Sequence, residues 1–178
     1  NDYFAKIDLG EFLNETTFLQ TQILFRMLKP FSLSKECILD TIKQLKSSKQ
    51  NIVQNINPHL MMIKEYGYVI FTNQKIKDYY LKIDEEGEYE LDNHTYLHIT
   101  KNICNFITSS GKLWYNINML PIIIRTRKNG DKIKTKKGSI SVSDYLTNHK
   151  IPYLQRKQIL LLCDKDDLPI AILGYIIK

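Results

Sequence analysis

The chain has 178 residues, 43% of them hydrophobic, with 25 Lys+Arg against 19 Asp+Glu, a net charge of +6. That size and apolar content suit one domain or two small ones with a packed core, and no apolar run approaches the ~20 residues of a membrane span. The three cysteines, Cys37, Cys104 and Cys163, form no Cys-x-x-Cys pair, which speaks against a zinc site or a disulfide framework and for small buried hydrophobes in a reducing cytoplasm.

In chain order, the first third reads as helical. Thr16 or Thr17 can cap a helix carrying Phe18, Leu19, Ile23, Phe25 and Leu28 at three- and four-residue spacing, and Pro30 stops it. Ser34 caps a second helix with Ile38, Leu39, Ile42 and Leu45 on one face. After Asn51 the apolar period changes to two. Ile52 to Ile56, Leu60 to Lys64 and Tyr68 to Thr72 read as strands, the last two joined through Glu65-Tyr66-Gly67 as a hairpin. The polar stretch Asn73 to Asp78 reads as a linker.

Beyond it, Tyr80 to Ile83, Glu88 to Leu91, Tyr96 to Thr100, Lys112 to Tyr115 and Ile122 to Thr126 read as strands, with turns at Glu85-Glu86-Gly87 and Asp92-Asn93. Ser109-Ser110-Gly111-Lys112 lacks the first glycine and the Ser/Thr of a nucleotide P-loop, so it reads as a turn. A helix from Val142 to His149 is capped by Ser141, and a shorter one follows Pro152. Ile159 to Cys163 and Ile170 to Tyr175 close the chain around Asp164 to Asp167. The expectation is an α+β protein: a helical module with a terminal hairpin over residues 1–75, then an α+β domain rich in antiparallel strands over 76–178.

Charge singles out one segment. From Arg125 to Lys137 stand seven basic residues, Arg125, Arg127, Lys128, Lys132, Lys134, Lys136 and Lys137, and one acid, Asp131. Seven minus one is +6, equal to the net charge of the whole chain, so the remainder is close to neutral. Such a field suits a polyanion, because each cation that neutralises a phosphate releases condensed counterions. Arg125 and Arg127 are expected to share a strand face, with the lysines forming the following loop. Lys150, Arg156 and Lys157 flank the Pro152 turn. Either arginine can instead be structural, pairing with Asp131. Tyr145 and Tyr153 can stack on bases, though their apolar-period positions favour core packing.

Other constellations are weaker. His94 and His98 lack a third ligand and read as strand residues. Asp84-Glu85-Glu86 and Asp164 to Asp167 sit beside Gly or Pro and read as solvated turn carboxylates. Nothing places a Ser-His-Asp or Cys-His grouping.

The order of the basic half resembles a known family. Ile122-Ile-Ile-Arg-Thr-Arg-Lys-Asn-Gly-Asp131 is followed by Val142-Ser-Asp-Tyr-Leu146, Lys150-Ile-Pro152, Arg156, Ile159-Leu-Leu-Leu-Cys-Asp164 and Ile170-Ala-Ile-Leu-Gly174. This resembles the C-terminal domain of bacterial tRNA(Ile)-lysidine synthetase, with its apolar-Arg-x-Arg-x-x-Gly-Asp element, Ser-Asp-Tyr/Phe-Leu helix and Lys-Ile-Pro step. Upstream, Phe18 to Arg26 is similar to the family's helix after the catalytic domain. Ser47 to Asn51 and Lys64-Glu-Tyr66 also fit that pattern. The resemblance implies a second domain like one of phenylalanyl-tRNA synthetase β chains. It implies a parent ligase that uses ATP and Mg to adenylate C2 of the wobble cytidine of tRNA(Ile) and join lysine there. The family's Ser-Gly-Gly-x-Asp-Ser phosphate loop is absent and the chain begins at Asn1. The expectation is therefore a C-terminal portion without catalytic residues or a cofactor of its own. Its partners would be tRNA(Ile) and the N-terminal catalytic domain, with a homodimer left open. The alternative is a non-catalytic interaction or structural module of a larger enzyme.

Overall fold

The computed structural model describes residues 4–74, 77–92, 95–101, 103–109, 111–117, 120–135 and 138–175. Lys75 and Ile76 of the expected linker, Asn93 and His94, Ser110, and Lys136 and Lys137 lie outside that set. The chain is an α+β protein built from several antiparallel sheets and few helices, and it divides into two compact units, Asn1–Lys75 and Ile76–Lys178. No helix among the described residues is long and apolar enough to cross a membrane.

In the first unit β1 (Ala5–Asp8) leads into helices α1 (Leu9–Asn14), α2 (Thr17–Met27) and α3 (Lys35–Lys46). The Thr16 and Ser34 hydroxyls accept from the amides of Leu19 and Cys37, each satisfying an orphan donor of the first turn. Glu36 in the first turn of α3 and Lys43 and Lys46 in its last complement the helix dipole. Strands β2 (Ile52–Asn57), β3 (Leu60–Glu65) and β4 (Tyr68–Thr72) follow, and the sheet order is β1-β4-β3-β2. The β3–β4 turn places Tyr66 at φ 49° and Gly67 at φ 81°, the paired positive angles that match strand twist in a two-residue hairpin.

The expectation of a helical module with a terminal hairpin is corrected here. The hairpin is the centre of a four-stranded sheet, because β1 adds to its far edge. Phe12, Leu24, Leu28, Ile38, Ile42 and Leu45 from the helices pack on Leu60, Met62, Val69 and Phe71 from the sheet. Lys64, only 6% exposed, donates its ammonium to the carbonyls of Leu45 and Ser47 at 2.9 and 2.7 Å, capping the end of α3 from the sheet.

The second unit contains β5 (Tyr80–Ile83), a meander of β6 (Gly87–Asp92), β7 (Thr95–Thr100), β8 (Ile103–Thr108) and β9 (Gly111–Asn116), then β10 (Ile122–Thr126). A ribbon of β11 (Lys132–Thr135) and β12 (Gly138–Ser141) runs into α4 (Val142–Asn148) and α5 (Tyr153–Gln158). Strands β13 (Leu160–Cys163) and β14 (Pro169–Ile172) finish it. The central sheet has the order β14-β13-β10-β5.

Strand β10 explains its own apolar run. Ile122 and Ile124 join the core shared with Leu97, Ile99 and Cys104 of the meander. Ile123, on the other face, packs with Ile133, Val142, Leu146 and Leu161. A strand covered on both faces needs no polar alternation.

Candidate nucleic-acid interface

Arg125 follows Ile123 on the same face of β10 and inherits its burial: the residue is 2% exposed. Its guanidinium makes a two-pronged contact with Asp131, with both N–O distances 2.9 Å. Its Nε donates to the Asp167 carboxylate, and its remaining donors reach the carbonyls of Thr126 and Asp167. Asp131 also accepts the Lys128 amide at 2.6 Å, closing the Asn129-Gly130 turn, where Gly130 has φ 87°. Asp167 accepts the Lys128 ammonium at 2.6 Å.

Two cations thus face two carboxylates. Hydrogen bonds donated to Asp131, with those to Asp167 adding to them, outweigh burial and hold the Arg125 guanidinium more firmly protonated. Burial pushes both carboxyls up, but the donors around them win. Arg125 and the Lys128 amide hold Asp131 below the usual carboxylate range, and Lys128 and Arg125 do the same for Asp167.

This corrects the expected phosphate-binding set. Arg125 is the clamp that fixes the turn, and its donors are spent internally. Lys128 is exposed, yet its charge is offset by Asp167. Nor is Asp167 a merely solvated turn carboxylate; it reaches back to Arg125 across 42 residues. Counting Asp167 against the basic segment turns +6 into +5.

The lysines expected in a loop are also reassigned. Lys132 and Lys134 lie on β11 and project outward while Ile133 enters the core. Strand pairing sets Lys132 opposite Ser141 and Lys134 opposite Ser139, so lysines and hydroxyls share the outer face of the ribbon. Ser141 also accepts the Asp144 amide at 3.3 Å and starts α4. The ribbon is therefore anchored at one end, where Lys132 pairs with Ser141, by the Arg125 clamp ahead of β11 and the helix cap after β12.

Arg127 lies just past the end of β10, half-buried, with Nε donating to the Arg156 carbonyl at 3.2 Å. Arg156 in turn donates to the Thr147 hydroxyl of α4 at 3.0 Å. Lys150 closes α4. It sits at φ 54° with its amide on Thr147, while the Ile151 amide returns to Leu146. Ile151 packs into the core beside α4, and Pro152 starts α5. The Lys-Ile-Pro step is thus a helix stop that leaves the lysine exposed. The Lys157 ammonium lies 5.6 Å from the Tyr153 ring. Tyr145 stacks on His149 at 4.0 Å and meets Tyr175 edge-on, so its ring is engaged within the molecule.

Two groups of cations result. Lys132 and Lys134 precede the start of α4, and Arg127, Lys150, Arg156 and Lys157 gather beyond its end. A seven-residue helix puts them on the order of 10 Å apart along its axis. Such an array suits successive phosphates of a nucleic-acid backbone, contacted by arginine forks, mobile ammonium groups and serine hydroxyls.

Sequence reasoning missed Asp167, which carries no local signal, and Ser139. The alternation Lys132-Ile-Lys-Thr135 and Gly138-Ser-Ile-Ser141 did hold a signal for Ser139. Compared with protein-family models the chain matches none, and no curated protein matches it.

Proposed function

We propose that this chain is the tRNA-gripping C-terminal part of a tRNA(Ile)-lysidine synthetase. The second unit would be of the kind that such enzymes share with phenylalanyl-tRNA synthetase β chains. The reading rests on the order of motifs from Ile122 to Gly174. One structural observation supports it above others: the Arg-x-Arg-x-x-Gly-Asp element builds a buried clamp, Arg125 to Asp131, that holds a lysine-and-serine ribbon outward.

In this role Lys132, Lys134, Arg127, Lys150, Arg156 and Lys157 meet phosphates of the tRNA body. These contacts set register and orientation and carry little base information. Wobble-cytidine adenylation and attack by lysine, with ATP and Mg, belong to a separate catalytic domain.

The test is binding of labelled tRNA(Ile) to the chain across a salt series, followed by anisotropy. A salt-sensitive complex is expected, with log K falling roughly 0.7–0.9 per phosphate contact. Incubation with ATP, lysine and tRNA(Ile) should yield no lysidine. Absence of tRNA binding at low salt would overturn the proposal.

A further inference from the structure

The β6-β7-β8-β9 meander has one face in the core and one outside it. Pairing fixes the outer rows: Glu88, His98, Asn105 and Trp114 in one, Glu90, Tyr96, Ile107 and Lys112 in the next. Side chains alternate along strands, so these rows lie opposite Leu97, Ile99, Cys104 and Phe106 of the core. Trp114, the chain's single tryptophan, is 70% exposed, and Tyr96 is 40% exposed. The Lys112 ammonium lies 5.7 Å from the Trp114 ring centroid, within cation–π range. Between the aromatics Asn105 is buried, only 7% exposed, and its amide donates to the His98 carbonyl at 3.3 Å, so it braces the sheet beneath them.

We infer that this face binds an unpaired stretch of RNA, with one base stacked on Trp114, its phosphate beside Lys112, and a neighbouring base over Tyr96. Exposed aromatics on a sheet face are what unstacked bases stack on. Charge orients the strand: Lys112 attracts the backbone to the β9 edge, and Glu88 and Glu90 repel it from the β6 edge. A protein partner fits less well, because the cores of such interfaces are depleted of charge and this face carries three charged side chains. The inference rests on the proposed RNA-binding role and adds an unpaired-nucleotide site to it.

The full chain is titrated with an oligoadenylate of about eight nucleotides and with a duplex of the same length. Trp114 emission should be quenched, saturably, by the oligoadenylate and not by the duplex. Labelled oligoadenylate should bind Trp114→Ala at least about fivefold more weakly, with Trp114→Phe retaining most of the affinity. Truncating so exposed a ring leaves folding intact. Unchanged emission, or equal quenching by the duplex, overturns the inference. So does a concentration-dependent dimer that Trp114→Ala dissolves, which would make the face a protein interface. If tRNA still binds in a salt-dependent way while Trp114 stays unquenched, only the platform fails. If neither RNA binds, the RNA-binding reading fails with it.

Discussion

Replacing Asp131 by alanine tests whether the basic turn is held by a buried ion pair. The change removes two hydrogen bonds to a guanidinium that is 2% exposed. Breaking such a pair from one side costs about 3–5 kcal/mol, because the remaining charge stays desolvated. Asp167 and two carbonyls still accept from Arg125, which puts the expected loss near the lower end, about 3 kcal/mol. That is a large share of the 5–15 kcal/mol typical of a domain. Urea unfolding followed by labelling of the buried Cys104 and Cys163 thiols reports on the second unit, where both lie. The double replacement Arg125→Met with Asp131→Leu should recover much of the loss, since no unpaired buried charge remains at either position. The salt dependence of tRNA binding should not change in Asp131→Ala under conditions where it is folded. A loss within about 0.5 kcal/mol of zero would refute the clamp.

Three further outcomes follow from the same geometry. Asp131 and Asp167 both titrate below the ordinary carboxylate range; their contribution is therefore full above about pH 4 and lost as pH falls through the lowered values, so acid unfolding in mild urea should flatten in Asp131→Asn. Lys64→Met should weaken the first unit by about 1–3 kcal/mol, by stranding the Leu45 and Ser47 carbonyls, as read by circular dichroism during urea unfolding. Burial pushes the Cys104 and Cys163 thiols up to about 12, so at pH 8 a thiol reagent followed by mass spectrometry should label half-buried Cys37 first and the other two only on unfolding.

Local chemistry in the sequence was a good guide wherever a residue acts on its neighbours. The Thr16, Ser34 and Ser141 caps, the Tyr66-Gly67 hairpin and the Lys150-Ile-Pro152 stop all follow from residues within a few positions. Strand β1 was hidden because four residues of alternation are too few to stand out beside a helix. Strand β8, Ile-Cys-Asn-Phe-Ile-Thr, places apolar residues on both faces, so its period of two vanished. At the site, the density of positive charge drew attention from the alternation of Lys132-Ile-Lys134, which marks a strand and not a loop. Arg125 was misassigned for a longer-range reason. The triple isoleucine before it signals a strand covered on both faces, and an arginine continuing that strand must be buried and paired. Its second partner is 42 residues away, and only the fold brings Asp167 to it.

Lysine footprinting of the tRNA complex tests the RNA-interface account most directly. The chain is acetylated with and without tRNA(Ile), and each lysine is quantified by mass spectrometry. Lys132, Lys134, Lys150 and Lys157 should be protected at low salt and released at high salt. Lys82 and Lys165, exposed and paired to Asp84 and Asp166, should label equally in both states. Equal labelling of Lys132 and Lys134 with and without bound tRNA would contradict the account.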